Sequence, residues 1–299
     1  MHKSGNSYLL IKYSLLIFFF IPVLAARSAN IPYSNSTDTA GAGHTSSSHS
    51  LFSGAGFGSN MIYLGSTISE NQPYLYANLT YSYKNKLYAS ITPVHLTGVN
   101  KIVPFYIGAL NYSHTFNSWF DMTLGAYRYQ VPVSLADTLF SSFTYGDLTL
   151  GFDWKILYSK ITLGGLISEE DQVYLQFRNS RYFETPYFMK GKANVSFDPY
   201  ANLLFGTLYE VKTSGESTII QSTPGRKWKQ FTNPGTGNNL SYVRKFGILA
   251  ADFGIPVSFN TGKMVIEAEV NYTLPLSDSQ EIASPKGFVF LLSAFFRIF

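Results

Sequence analysis

The stretch that most constrains the fold is Lys286 to Phe299, which reads KGFVFLLSAFFRIF. Alternate residues form an unbroken apolar row: Phe288, Phe290, Leu292, Ala294, Phe296 and Ile298. The opposite row mixes Gly287, Ser293 and Arg297 with apolar residues. A period of two is typical of a β-strand with two different faces. It predicts the closing strand of a transmembrane barrel, with Phe288, Phe290, Phe296 and Phe299 in the wall. The alternative is the last strand of a secreted β-sandwich.

The composition favours the barrel. Charged residues make up 13% of the chain and aromatic residues 17%, while the mean hydropathy is close to zero at +0.03. This balance fits strands with one face in lipid and one in water, with tyrosine and phenylalanine at the two interfaces. The net charge of +4 is small and the basic residues are scattered, so nucleic acid is not a predicted partner.

The start of the chain has the pattern of a secretory signal. Residues 1–25 hold two lysines, a short apolar run and a plausible cleavage site at Val23-Leu24-Ala25. Residues 26–53 are rich in serine, threonine and glycine, and we expect a flexible leader. His44 and His49 lie in this leader, where a solvated linker explains them better than a metal site. The chain has no cysteine, so disulfides and thiol catalysis are excluded.

From residue 54 onward, strand-like runs alternate with turns. The clearest runs are Leu75 to Tyr83, Asp147 to Ile156 and Met264 to Leu274, each with one apolar and one polar row. Short turns are predicted at 84–86, 117–118, 158–159, 198–199 and 260–262. Longer connections are predicted at 69–72, 97–103, 134–143, 169–189, 212–244 and 277–285. This alternation predicts an all-β, transmembrane, antiparallel up-and-down β-barrel over 54–299, with about 12 strands (about 10–14).

The signal, the hairpin rhythm and the terminal Phe299 resemble the Gram-negative outer-membrane β-barrel proteins over nearly the whole mature chain. Gly146-Asp147-Leu148-Thr149-Leu150-Gly151 is similar to a strand of outer-membrane transporters of the phenol-degradation meta-pathway type, a match of one strand only. Arg297 departs from the usual terminal signal, so we expect either a bulge near the end or an inward Phe299. The resemblance implies location in the bacterial cell outer membrane, contact with its lipid, and insertion by the barrel-assembly machinery.

If the apolar rows face lipid, the opposite rows line the lumen, because lipid-facing charges are costly. The predicted lumen-lining residues are Asp147, Asp153, Lys155, Lys192, Asp198, Asp252, Glu267, Glu269 and Arg297. These groups either line a water-filled path or pair across a narrow lumen and close it. The basic loop 212–244 is interpreted as a solvated loop or one folded into the barrel mouth, the alternative being a loop that grips a ligand or the anionic sugar surface outside. The acidic stretch Glu169 to Asp171 is interpreted as a solvated charge run, the alternative being a divalent cation that bridges it to lipid headgroups.

No catalytic residues, metal or cofactor are predicted. His95 and His114 are the histidines of the barrel region, and neither lies in the H-x-S-N arrangement of barrel lipases. The sequence therefore predicts a non-enzymatic outer-membrane channel or transporter for passive or ligand-selective passage of a small solute. The alternative is a closed barrel with a structural, surface-binding or assembly role through its outer loops or a partner protein.

Overall fold

A computed structural model describes residues 48–136, 139–168, 171–212, 217–221, 224, 241–276 and 285–299. The predicted signal, most of the leader and most of the basic loop 212–244 lie outside these residues. Within the described ranges, no helix is long and apolar enough to cross a membrane.

Strands make up most of the described chain. They are β1 (His49–Gly58), β2 (Ile62–Tyr63), β3 (Ser66–Thr67), β4 (Tyr74–Tyr83), β5 (Leu87–Leu96), β6 (Phe105–Asn117), β7 (Phe120–Gln130), β8 (Phe143–Asp153), β9 (Tyr158–Ile167), β10 (Gln172–Ser180), β11 (Phe183–Glu184), β12 (Ala193–Phe197), β13 (Tyr200–Lys212), β14 (Ser217–Gln221), β15 (Ser241–Thr261), β16 (Met264–Pro275) and β17 (Gly287–Arg297). A single-turn 3-10 helix, Val133–Leu135, lies between β7 and β8.

The main sheet closes on itself. Of its 15 strands, all except β11, β12 and β14 form an antiparallel ring of 12, in the order β1-β4-β5-β6-β7-β8-β9-β10-β13-β15-β16-β17 and back to β1. The predicted terminal strand β17 closes this ring, because it pairs with β16 on one side and β1 on the other. The predicted all-β transmembrane barrel of about 12 strands is confirmed.

The two ends of the barrel differ in their connections. One end, here called the turn end, carries the connections 84–86, 118–119, 154–157 and 262–263. The opposite end, the loop end, carries the longer connections 59–73, 97–104 and 131–142. The predicted alternation of short turns and longer connections is therefore present in these hairpins.

At the turn end, one hairpin is longer than its neighbours. β12 and β13 pair successively with the single long strand β15, from Ala193 opposite Thr261 to Lys212 opposite Ser241. β11 pairs with β12 just as β10 pairs with β13. The predicted turn at Asp198-Pro199 is thus wrong: these residues interrupt one continuous wall instead of reversing the chain.

Three other predicted boundaries differ from the structure. β10 lies inside the predicted connection 169–189, because its inward row holds Tyr174 as well as polar residues and this blurs the alternation. The turn predicted at Tyr158-Ser159 lies at 154–157, because the Asp153 carboxylate accepts the backbone N–H of Lys155 at 2.6 Å and ends β8. β1 begins at His49, upstream of the predicted start of the barrel at residue 54.

The predicted two-faced strands are clearest in β4, β16 and β17. In β4, Leu75 and Leu79 are exposed on the outer face, whereas Asn78 and Thr80 are buried on the inner face. In β17, the exposed outward residues are Phe288, Phe290, Leu292 and Phe296. These outward apolar rows give the barrel an exposed apolar outer face.

The last residues of the chain continue the pairing with β1. Ile298 donates its backbone N–H to the Leu51 carbonyl at 2.8 Å, whereas Leu51 donates to the Phe299 carbonyl at 3.2 Å. Two terminal residues thus face one residue of β1, which is the pattern of a β-bulge. Arg297 itself pairs with Phe52 in the regular register of β17 and β1.

Candidate functional site: the barrel lumen

The loop half of the lumen is filled by a segment that folds inward. Residues 59–73 connect β1 to β4 and contain the small hairpin of β2 and β3. Leu64 and Gly65 form its two-residue turn with φ of 49° and 79°, values that suit a hairpin turn of the I′ type. Ile62, Tyr63, Leu64 and Ile68 are buried, so this connection packs inside the barrel instead of covering its mouth.

Asn60 organises the polar groups of the inward segment. Its Oδ1 accepts hydrogen bonds from Thr67 Oγ1 at 2.7 Å and Ser69 Oγ at 2.8 Å. Its Nδ2 donates to Asn71 Oδ1 at 2.9 Å. Ser69 Oγ also accepts the Met61 backbone N–H at 2.8 Å. Since a folded-in connection must satisfy its own polar groups, this network allows the segment to enter an apolar environment.

The inward hairpin packs on aromatic rings of the barrel wall. The Tyr63 ring centroid lies 4.9 Å from that of Tyr129, 5.7 Å from Tyr145 and 6.1 Å from Phe143. Tyr129 and Phe143 stack on each other at 4.5 Å. Burial raises the pKa of the Tyr63 phenol well above its ordinary value, so this ring stays uncharged.

A second inward segment completes the filling. Leu139 and Phe140, between β7 and β8, are buried, and the Phe140 ring lies 5.2 Å from Phe105. We use the name apolar plug for the buried cluster that these two segments form with the wall. Its members are Met61, Tyr63, Leu64, Ile68, Tyr74, Val94, Leu96, Phe105, Ile107, Tyr129, Val131, Leu139, Phe140, Phe143, Tyr145, Leu166, Tyr174, Leu204, Leu208, Leu249 and Ala250.

The turn half of the lumen is polar, and several of its acidic groups have partners. The Tyr200 hydroxyl donates to Glu269 Oε1, and Ser258 Oγ donates to Glu267 Oε2 at 2.8 Å. Tyr158 donates its hydroxyl to Asp121 Oδ2 at 2.6 Å. Hydrogen bonds between charged and polar side chains therefore stabilise this half of the lumen, whereas packed aromatic rings stabilise the plug.

One basic residue lies in the same network. The Arg178 guanidinium lies 3.7 Å from the Tyr200 ring centroid, and its Nη2 is 3.9 Å from Asp198 Oδ2. The contact with the ring is a cation–π arrangement, and it links the wall of β10 to that of β13.

The predicted lumen residues fall into two groups. Asp147, Asp252, Glu267 and Glu269 lie on strands with their side chains on the inner face. Arg297 lies at the rim of the turn end, where its Nη2 donates to the buried Ser50 Oγ at 3.2 Å.

Of the other four predicted lumen residues, Asp198 lies between β12 and β13, half-buried beside Arg178. Asp153, Lys155 and Lys192 are exposed at the turn end. Asp153 ends β8, and Lys155 and Lys192 lie in connections where strand alternation no longer applies. The predicted lining role of these three residues stays a prediction.

Sequence reasoning missed several inner-face charges, among them Asp121, Lys160 and Arg178. Arg178 lies directly opposite Lys160 on one side and Asn202 on the other. The alternation within β10 and β9 could have found Arg178 and Lys160, since each occupies the row opposite exposed apolar residues such as Phe177 and Leu163.

The histidines of the barrel do not share a site. His49 begins β1 instead of lying in a solvated leader, and its Nδ1 is 2.5 Å from the Tyr81 hydroxyl. His95 Nδ1 lies 2.9 Å from the Ile102 carbonyl at the loop end, whereas the His114 ring packs beside Tyr112 and Phe116 on β6. Within the described part of the chain, no three or more His, Cys, Asp or Glu side chains are grouped to hold a metal ion.

No protein-family model matches the chain, and no curated protein sequence matches it. Solved structures do resemble it. The NanC porin shares 9% identity over 82% of this chain and 98% of its own, with a TM-score of 0.43. LpxR from Salmonella typhimurium shares 7% identity over 82% and 99%, also at 0.43. The outer-membrane protein opdK from Pseudomonas aeruginosa shares 8% over 84% and 98%, at 0.26. Outer-membrane β-barrels are thus among its structural neighbours.

Proposed function

We propose that this chain is a bacterial outer-membrane barrel that passes a small, weakly polar solute selectively and is closed to ions at rest. The observation that carries the proposal is the apolar plug across the loop half of the lumen. An apolar constriction excludes water and ions, because an ion there loses its hydration without compensation. Passive diffusion of charged solutes through such a lumen is therefore not expected, whereas a solute that tolerates aromatic surroundings faces a lower barrier.

Solvent access from the turn end favours a barrel that passes a solute rather than one whose lumen is permanently closed. On β6 to β9, the inward side chains of the turn half are only half-buried, among them Asn111, Tyr127, Asp147, Thr149 and Thr162. These groups can line a wet vestibule that ends at the plug. We place the turn end in the periplasm, because outer-membrane barrels have short periplasmic turns, and the plug then faces the outside.

The class of solute follows from the chemistry of the plug. Its rings present flat apolar faces with tyrosine hydroxyls nearby, which suits a small aromatic or phenolic compound. The one-strand resemblance to transporters of the phenol-degradation meta-pathway type points to the same class. Insertion by the barrel-assembly machinery and the absence of enzymatic activity stay predictions.

A closed barrel with a structural, surface-binding or assembly role is the second candidate. The pairing of Glu269 with Tyr200, of Glu267 with Ser258 and of Arg178 with Asp198 favours it. Such pairs stabilise the inner wall on the β13 to β16 side. This stabilisation is what a closed barrel requires, and it implies no passage of a solute.

The deciding experiment measures conductance of the refolded barrel in planar bilayers, before and after replacement of residues 60–71 by a glycine–serine linker of equal length. We expect the unmodified chain to insert without steady ion conductance and the linker variant to give stable open steps. Steady conductance by the unmodified chain would contradict closure by the plug.

Uptake into vesicles then separates the two candidate functions. A vesicle that holds the unmodified barrel should admit phenol-sized aromatic solutes faster than sugars or salts of similar size, relative to vesicles with the heat-denatured chain. Equal, negligible uptake of every solute by correctly folded barrel would favour the closed-barrel function.

A further inference from the structure

One acidic side chain lies where the apolar plug meets the polar half of the lumen. Asp147 is an inward residue of β8, two positions beyond Tyr145, which belongs to the plug. On the adjacent strands, Gly125 of β7 and Gly164 of β9 lie directly opposite Asp147. Because neither neighbour has a side chain, the wall on both sides of Asp147 is open to the rings of other residues.

Two tyrosine rings occupy the space above these glycines. A Cβ atom added to Gly125 would lie 2.7 Å from the Tyr127 ring and 2.7 Å from Asp147 Oδ1. A Cβ atom added to Gly164 would overlap the Tyr145 hydroxyl. The rings of Tyr127 and Tyr145, with centroids 6.0 Å apart, therefore reach from the plug to the level of Asp147 and lie on either side of it.

The Asp147 carboxylate has no partner within the described part of the chain. No hydrogen-bond donor and no positive charge of the described residues acts on it. Other acidic groups of the polar half differ in this respect, because Glu269, Glu267 and Asp121 each accept a hydrogen bond. A carboxylate that is partly removed from water needs such a partner. Since Asp147 is only half-buried, it can accept a hydrogen bond from a solute in the vestibule.

The Tyr145 hydroxyl can complete the same site. It lies within electrostatic reach of Asp147, and no described side chain hydrogen-bonds it. The Tyr127 hydroxyl, by contrast, already donates to Asn111 Oδ1 at 2.8 Å. Tyr127 therefore contributes an apolar ring face, whereas Tyr145 offers a hydroxyl that can donate to a bound molecule.

These groups match a neutral aromatic ring that carries a hydroxyl. Its O–H can donate to Asp147 in a charge-assisted hydrogen bond, which is stronger than one between neutral groups. Its oxygen can accept from Tyr145, and its ring can pack on Tyr127. A cationic amine can pair with Asp147 too, but it would lose that partner and its hydration on entering the plug. An anionic solute is repelled by the carboxylate.

We propose that Asp147 and Tyr145 form the recognition subsite for the hydroxyl of a phenolic solute, at the entrance to the apolar plug. This inference rests on the proposed function, because it names the groups that select the solute. The two remain separable by experiment, since binding to the subsite is measured at equilibrium and requires no passage.

The test measures binding of para-fluorophenol to the full mature chain, refolded in a neutral detergent, from the broadening of its fluorine NMR line. At neutral pH this phenol keeps its proton. We expect saturable binding, and binding of para-fluoroanisole, which lacks the hydroxyl proton, that is weaker by about tenfold. Asp147→Asn keeps the shape of the side chain and should weaken binding of the phenol by about fivefold to tenfold. Tyr145→Phe keeps the ring in the plug and should weaken it by about threefold.

Asp121→Asn is the matched control, because it removes an inward carboxylate from β7 that already accepts the Tyr158 hydroxyl at 2.6 Å. It should leave binding of the phenol unchanged. Equal loss in Asp147→Asn and Asp121→Asn overturns the proposal, as does equal binding of para-fluorophenol and para-fluoroanisole, or tighter binding of para-fluorobenzylamine than of the phenol. Negligible uptake with intact, Asp147-dependent binding would contradict the proposed function alone. Rapid uptake with binding that Asp147→Asn leaves unchanged would overturn the subsite alone.

Discussion

The two halves of the lumen solve the same packing problem with opposite chemistry. In β8, the inward row begins at the loop end with Phe143 and Tyr145 and continues toward the turn end with Asp147 and Thr149. The outward row of the same strand must stay compatible with lipid along its whole length. Only the inward row can therefore vary, and its change from rings to polar groups divides the lumen into a sealed half and a hydrogen-bonded half.

The largest expected effect comes from removing a ring of the plug. Phe143 is fully buried and contacts the rings of Tyr63, Tyr129 and Phe140. Phe143→Ala should lower the free energy of unfolding in detergent–urea titrations by about 3–5 kcal/mol, through lost burial and the cavity left behind.

Phe290→Ala is the control for this variant, since its ring lies exposed on the outer face of β17. We expect it to cost clearly less, because lipid or detergent fills the space. Similar losses for both variants would mean that the plug is not a packed core.

Removing a single tyrosine hydroxyl from the polar half should lower the free energy of unfolding by less than removing a ring of the plug. Tyr200→Phe leaves the buried Glu269 carboxyl without its donor and should cost about 1–3 kcal/mol in the same titration. Tyr127→Phe removes a 2.8 Å hydrogen bond to the Asn111 amide oxygen and should cost about 1 kcal/mol. Equal costs would show that Glu269 draws no special stabilisation from Tyr200.

The wall of this barrel was predictable because lipid imposes a simple rule. The outward rows of β4, β16 and β17 alternate strictly with inward residues, and this alternation sufficed to locate those strands and to predict about 12 in all. Near Trp154 and Ile156 the alternation predicted a strand that is too long. These apolar residues continue the alternating pattern beyond Asp153, where β8 ends. The positive φ of Lys155, 68°, which turns the chain there, leaves no mark in the residue pattern.

The interior was predictable only in part, because a lumen accepts both apolar and polar residues. The inward fold of residues 59–73 was missed, although the run Met61-Ile62-Tyr63-Leu64 is too apolar for a solvated connection. The contacts of Arg178 depend on which strands become neighbours across long connections. That pairing is a property of the closed ring and cannot be read from either strand alone.

The anchoring of the plug can be loosened without touching its rings. Asn60→Ala removes two accepted hydrogen bonds and one donated bond, and should destabilise the inward segment by about 1–3 kcal/mol. We expect faster hydrogen exchange in 59–73, measured by mass spectrometry, and brief conductance flickers in bilayers.

Asn71→Ala is the milder comparison, since the Asn71 side chain accepts one bond, from Asn60. Exchange in 59–73 that stays as slow in Asn60→Ala as in the unmodified chain would show that apolar burial alone holds the plug inside.

The smallest expected effect concerns ion selectivity, and it needs the barrel in which the glycine–serine linker replaces the plug. Glu267 faces the lumen, whereas Lys192 is exposed in a connection beyond the strands. A unit charge acts on an ion about 4 Å away in water with about 1 kcal/mol. Glu267→Lys should therefore lower the cation-to-anion permeability ratio, measured from reversal potentials, by about twofold to fivefold. Lys192→Glu should change it little, because salt screens a charge at the rim. A larger shift from Lys192→Glu than from Glu267→Lys would place the conducting path outside the polar half and would break the division of the lumen described above.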